Sequence, residues 1–577
     1  MKKGLSLILI LTMFASFLLG CGNVDSNGSG SSVEPSPVET AEPEKTAALS
    51  MDEPTASENS TVEDSKQEED PSVLRVEYDL PLFDETRTIS YWSICQGMDE
   101  SKGSYLFWQR LAEETGVQVE FVDANEENAA ERYNLMMATG DLTDIIEEKG
   151  LTTGTSSKSP YTGGYTQAIA DGMYMDLTEI IPESCPNYWS LLEENESVYR
   201  DLALDDGTLY CFAMIYDQPY GPEQGAWVRT DMMNEAGITE IPTTETGWLE
   251  LWKAMKAENV VEQPTRASNL GDLYPNIAEA YGTTASSSFL VDLQTGEVFY
   301  DLISDNYRDY LEFFRQVYSE GLVSSDFYSV SETSMIDIDS GLIATYECVL
   351  GAANQMTANG LQMAACPAVH LEDYEVAQPK LIDYETWSSR IKTGTWCCIN
   401  ANTENLEAVL RWLDFLYSDY GIRVSNYGFD EGVSYEYVDG QIQLTPAMLD
   451  RDENMIVGRM QYTMKEGPSY MYAQIEMPVS SEFLVESYNT WCDFDREAAL
   501  YSTMPTGVNL DESENEIVAS LMSDIETYVS TTTMQWMTCA TDLTDESWNA
   551  YVSYIEDSGI SDIIAAYQSA YDRYLTK

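Results

Sequence analysis

The chain has 577 residues, 44% of them hydrophobic and 11% aromatic, which is enough apolar surface for several cores and too much for a disordered polymer. Its 29 basic side chains stand against 99 acidic ones, a formal charge of −70 that repels phosphate backbones and excludes nucleic acid as a partner. The single histidine, His370, rules out histidine-rich zinc sites and reads as an ordinary surface or half-buried side chain.

Lys2 and Lys3 precede an apolar stretch over 5–19 that fits the central region of a secretory signal. It is shorter than the ~20 residues a membrane-spanning helix needs. It ends in Leu18-Leu19-Gly20-Cys21, a pattern similar to the bacterial lipobox. The expectation is a signal peptide over 1–20 and a lipidated Cys21 that holds the protein on the extracellular face of the cell membrane. From 22 to 71 Gly, Ser, Pro, Thr and Glu dominate, and no aromatic residue appears until Tyr78. A disordered acidic tether over 21–73 follows, with an r.m.s. span of roughly 40 Å.

The body opens with a strand, Arg87-Thr88-Ile89-Ser90-Tyr91-Trp92. Leu106, Phe107, Leu111 and Ala112 recur at helical spacing until Gly116, and Val117, Val119 and Phe121 alternate as a second strand. A second helix over 130–139 stops at Gly140 and leads to a short strand at 142–146. This β-α-β-α-β order predicts a mostly parallel sheet flanked by helices, with ligands bound outside the carboxyl ends of its strands. Trp227-Val228-Arg229 and Trp396-Cys397-Cys398-Ile399 read as further strands, the latter followed by a helix carrying Leu406, Val409, Leu410 and Leu413 on one face. Three apolar helical stripes close the chain, around Ile525, Tyr551 and Ile563.

Nine cysteines follow Cys21, an odd number that cannot all pair within one chain. None forms a Cys-x-x-Cys pair, and the adjacent Cys397 and Cys398 read as small core side chains rather than a metal or redox site.

Several segments together resemble the extracellular solute-binding lipoproteins (family 1, LplA-like) that feed oligosaccharides to ATP-binding-cassette (ABC) importers, distant relatives of maltose-binding protein. They are Glu114-Thr115-Gly116-Val117, Thr139-Gly140-Asp141-Leu142-Thr143-Asp144-Ile145-Ile146, Asp206-Gly207-Thr208-Leu209-Tyr210, Trp227-Val228-Arg229-Thr230-Asp231 and Asn426-Tyr427-Gly428-Phe429-Asp430-Glu431-Gly432. Thr143 departs from the family's usual proline, and residues 257–262 lack the alternating acids of the calcium loop some relatives carry, so neither a metal nor a cofactor is expected.

The resemblance implies an α/β, two-lobed, type II periplasmic-binding-protein-like fold, each lobe a mixed, mostly parallel sheet flanked by helices, with a helical C-terminal segment. It places 74–218 with 393–440 in one lobe and 219–392 with 441–577 in the other. The implied function is non-catalytic capture of an oligosaccharide for ABC permease subunits, with a surface glycan-active enzyme using a carboxylate pair as the alternative. A sugar needs flat aromatic platforms and polar side chains at its hydroxyl rim. Placement at strand ends nominates Trp92 for stacking, Glu147 as a hydroxyl acceptor, and Tyr216, Arg229, Tyr346, Trp396 and Tyr427 as further ligand contacts.

Two acyl chains on a processed cysteine hold a protein on a bilayer where one is marginal. The Cys21→Ser protein should therefore be released to the medium. Its retention in membranes washed at high salt would rule out the lipid anchor.

Overall fold

Alternating apolar residues set the first sheet. A computed structural model describes residues 75–577 apart from 96–100, 126–127, 149–150, 152–158, 220, 223, 269–270, 287, 330–337, 339, 392–395, 439, 446–447, 449–458, 465–466 and 474–481. The expected signal peptide, Cys21 and the tether lie outside the described residues. Strand Arg87–Cys95 pairs in parallel with Val117–Asn125 and, through Tyr91 and Trp92, with Ile145–Glu147. Helix Leu106–Thr115 links the first two and ends at Gly116, whose φ of 70° and whose approach to Pro81, 2.9 Å from any added Cβ, both demand glycine. Helix Ala129–Thr139 ends the same way at Gly140.

Strand Cys397–Ile399 returns from far along the chain and inserts antiparallel between Ile145–Glu147 and Cys211–Phe212. Cys397 and Cys398 are buried in it, and all nine cysteines after Cys21 are free thiols. The first core gathers Ile89, Tyr91, Ile145, Phe212, Trp396 and Trp412 around this sheet.

The second core is built on two sheets. Strand Gln224–Arg229 lies between Thr345–Val349 and Met363–Ala365, antiparallel to both, and a four-stranded sheet includes Phe289–Asp292 and Val298–Tyr300. Helices Glu245–Ala257 and Asp305–Ser319 cover them, together with the C-terminal helices Glu512–Met537, Asp545–Asp557 and Ile560–Leu575. Side-chain caps start the first two of these three: Asp511 and Glu514 close a reciprocal pair, as do Thr544 and Ser547. Trp536, Trp548 and Tyr551 pack where the helices meet.

The chain crosses between the cores at three adjoining places. Ile215–Tyr216 pairs in parallel with Tyr470–Met471, and Ile215 bridges Ile391. The Tyr216 N–H donates to the Arg390 carbonyl (2.8 Å), and Arg390 Nε donates back to the Tyr216 carbonyl (2.7 Å). The Asp217 N–H donates to Met471, and the Asp217 carboxylate accepts from the Ala473 N–H (2.8 Å). The expected division at 440 falls short of this point, because Met460, Met464 and Tyr470 pack into the first core.

A second junction joins the helix Ile560–Leu575 to the first core. Asp201, buried at the end of helix Glu196–Leu202, accepts from Tyr574 Oη (3.0 Å) and from Ser389 Oγ (3.0 Å), while Tyr384 and Tyr574 share a hydroxyl contact of 2.9 Å. Arg573 forks onto Glu514 and reaches Asp205 at 2.6 Å, and Lys577 Nζ donates to the carbonyls of Ala203 and Gly507. Removing the shared acceptor leaves buried hydroxyls unpaired, at about 1–3 kcal/mol each time the loss is not relieved by water. Asp201→Ala should lower unfolding free energy by about 2 kcal/mol in urea titration; an unchanged midpoint would show that this junction adds no stability.

Candidate ligand-binding cleft

The sheet edges that face the crossings follow from the connectivity. Strand Cys211–Phe212 runs into the crossing at Ile215 after two residues, so the carboxyl ends of the parallel strands, at Cys95, Asn125 and Glu147, lie on that side. In the second body Gln224 enters from the crossing opposite Val349, which puts the carboxyl end of Thr345–Val349 on the same side. Both edges therefore lie on the side of the crossings.

On the first edge Glu147 is 0% exposed. Its Oε2 accepts from Lys102 Nζ (2.7 Å) and Tyr91 Oη (3.0 Å), and Tyr91 also meets Cys397 Sγ at 3.1 Å. Its Oε1 has no hydrogen-bond partner. The neighbouring Glu148 points to the other face, where Tyr165 Oη donates at 2.6 Å and Tyr174 Oη donates to its second oxygen, backed by Tyr133 at 2.7 Å from Tyr174. Burial pushes the Glu148 carboxyl up to about 7 against the lowering effect of these hydroxyls.

Two of the expected platforms lie in the first core, and Trp92, expected at the end of its strand, stands three residues short of that end at Cys95. Trp92 is 2% exposed, with the Arg132 guanidinium 5.3 Å from its ring centre. Trp396 is buried, and its carbonyl accepts from the Glu148 N–H. Neither indole Nε1 has a partner. Trp248 and Trp412, elsewhere in the cores, likewise keep indole N–H groups without a partner.

The remaining expected contacts are scattered. Tyr216 is buried in the crossing itself, in a small cluster with Met214, Met471 and Ala473. Tyr427 lies near it, its ring 6.3 Å from Tyr472, whose N–H donates to Asn426. Tyr346 is buried in a separate apolar cluster and its hydroxyl meets Met356 Sδ. Arg229 sits at the end of its strand remote from the crossing, forked onto Asp231 (2.6 and 2.8 Å) and donating to the Ile338 carbonyl. Sequence reading missed Lys102, a lone lysine in a polar loop, and Glu148, hidden beside the acid that was chosen. Among the described residues no group of three or more His, Cys, Asp or Glu side chains is placed to hold a metal ion.

Set beside solved structures, this architecture matches an alginate-binding protein, AlgQ2, with a TM-score of 0.64 at 18% identity, over 86% of this chain and 100% of that one. The fold is that of the two-lobed solute-binding proteins. FusA of Streptococcus pneumoniae, in complex with kestose, matches with a TM-score of 0.63 at 19% identity, over 85% of this chain and 100% of that one. In sequence the chain is 21% identical over 506 residues to that fructooligosaccharide ABC transporter substrate-binding protein, covering 81% of this chain and 87% of FusA. It is 22% identical over 229 residues to the lipoprotein LipO of Bacillus subtilis, 38% of this chain and 41% of LipO. No protein-family model matches.

Glu148 makes stability depend on pH in a stated direction. Its folded-state value of about 7 lies above the ordinary 4.5, so the native state keeps a proton that the unfolded chain releases, and stability falls as pH rises from about 4.5 to about 7. The gap corresponds to on the order of 3 kcal/mol. Glu148→Gln should flatten the loss between pH 5 and pH 8 relative to the parent, read from denaturant midpoints at both values. Parallel profiles for the two proteins would refute the assignment.

Proposed function

We propose that the chain is a cell-surface binding lipoprotein that captures an oligosaccharide between its two lobes and delivers it to an ABC importer. The observation that carries this reading is the set of three adjoining crossings with a sheet edge of each lobe turned toward them. That arrangement lets two bodies rock about a short hinge without disturbing either core. A solute that contacts both walls binds the closed form better than the open one, and the permease recognises the closed shape. The sequence similarity to a fructooligosaccharide-binding protein of an ABC transporter supports the solute class, and the similarity to LipO supports the lipid anchor.

In this reading Trp92, Glu147 and Trp396 form the first-lobe wall, with Tyr216 and Tyr427 beside the hinge. Arg229 and Tyr346 hold the second lobe in shape, because their polar atoms are already engaged. A signal peptide over 1–20 and acylated Cys21 carry the protein to the extracellular face; among the described residues no helix is long and apolar enough to cross a membrane. The sugar leaves as it arrived, since binding and release need no acid–base pair.

The test uses purified residues 74–577 with kestose, nystose and a panel of further oligosaccharides. A bound sugar should raise Tm in proportion to the logarithm of its concentration above Kd and reduce the radius of gyration in small-angle scattering, with the sugar recovered unchanged. Binding without contraction would argue against lobe closure, and a hydrolysed product would establish an enzyme.

A further inference from the structure

One side chain touches all three passages between the cores. Arg390 belongs to the second passage, and its half-buried guanidinium spreads its donors over the other two. Nε donates to the Tyr216 carbonyl in the first passage (2.7 Å), and Nη2 donates to Tyr470 Oη in the third (3.3 Å). Nη1 donates to Asn195 Oδ1, at the break between helices Pro186–Glu194 and Glu196–Leu202 of the first core. Asn195 is itself held, because its amide donates to the Leu191 carbonyl at 2.7 Å. Tyr470 packs into the first core as well, so two of the three acceptors stand on that body.

The neighbours of Arg390 show where this passage changes its attachment. Ser389 Oγ donates to the buried Asp201 (3.0 Å), and Ile391 bridges Ile215, so the chain from Ser389 onward is fastened to the first core. Upstream, the Tyr384 N–H donates to Thr503 Oγ1 (2.8 Å) and Thr503 Oγ1 donates to Asp383 (2.9 Å), which fastens the start of helix Tyr384–Trp387 to a sheet of the second core. The backbone therefore passes from one body to the other between Tyr384 and Ser389, and Arg390 stands just beyond. The main-chain pairing here is short, two residues each in Ile215–Tyr216 and Tyr470–Met471. A pairing that short fixes direction weakly. A guanidinium is a planar fork of five N–H donors and holds several acceptors in fixed relative positions, which an ammonium on a flexible stem does not do.

We propose that Arg390 is a positioning residue that sets the resting angle between the two lobes and, through that angle, the affinity for solute. The inference rests on the reading of the protein as a two-lobed subunit that captures an oligosaccharide. Where the hinge is held near one angle, the solute meets walls that are already aligned. Where the hinge is loose, part of the binding free energy goes to ordering it, and the apparent affinity falls with the fraction of molecules that are competent. Arg390 acts in this scheme without touching the solute, so its loss changes the free protein and leaves the bound form as it was.

The test compares the parent, Arg390→Lys and Tyr470→Phe on purified residues 74–577, which contain both cores and all three passages. Arg390→Lys keeps the charge and loses the fork, while Tyr470→Phe keeps the ring in its core and removes only the acceptor of Nη2. Small-angle scattering without ligand should give a larger radius of gyration for Arg390→Lys than for the parent, with Tyr470→Phe between them. Kestose, nystose, maltotriose and a wider glycan array then supply a sugar that binds the parent. Its Kd in calorimetric titration should weaken about fivefold or more in Arg390→Lys, and the scattering of the saturated proteins should coincide. A merely structural role would lower Tm and leave the ligand-free radius unchanged, which overturns the inference, as does a Kd within about twofold of the parent's. A parent that binds no glycan overturns the reading of capture instead, and the ligand-free scattering still decides the role of Arg390. Where Arg390→Lys does not fold, Tyr470→Phe decides by the same two readings.

Discussion

Three stretches of backbone that meet edge to edge, at 215–217, 390–391 and 470–471, set the terms for the rest of the molecule. Each supplies main-chain groups to another, and the Arg390 guanidinium and the Asp217 carboxylate add side-chain bonds at the same place. Both cores can then be large and dry, because neither depends on the other for its apolar contacts. The carboxyl edges of the sheets are left beside the junction.

Much of the first sheet was legible in the sequence, because alternation, helical spacing and two terminating glycines agree there. Gly116 and Gly140 mark both helix ends in the positions their left-handed backbone requires. The antiparallel insertion of Cys397–Ile399 was not legible, since an apolar triplet carries no information about its neighbours. The burial of Cys397 and Cys398 was, because small thiols in an apolar run have no other use. The site was read less well. Strand-end placement nominated Trp92, which the structure puts three residues short of its strand's end at Cys95, with Glu147 and Trp396 on the same sheet, and Arg229, which lies at the end of an antiparallel strand remote from the crossing. Lys102 comes from a loop, and its meeting with Glu147 depends on tertiary approach over 45 positions of sequence.

The overall charge of −70 is unevenly used. Most acids face water, where they keep the protein soluble and apart from its copies. A few are enclosed, and these divide into two kinds. Asp201 and Glu148 are wrapped by tyrosine and serine hydroxyls, which satisfy a carboxyl without adding a positive charge. Asp272 and Glu147 each keep an oxygen without a partner. The first kind builds structure, and the second leaves hydrogen-bonding capacity unused.

The inserted strand also constrains how the chain acquires its shape. Residues 145–147 emerge early, but the neighbour that covers their edge is 397–399, and the crossing at 215 is completed only when 470 arrives. A polypeptide delivered from its amino end thus presents an unpaired, apolar strand edge for most of its synthesis. Such long-range pairing slows folding and invites edge-to-edge association in the interval. The dense negative charge on the unfolded chain opposes that association, so the chain's acidity protects the nascent protein while it waits for its last strands.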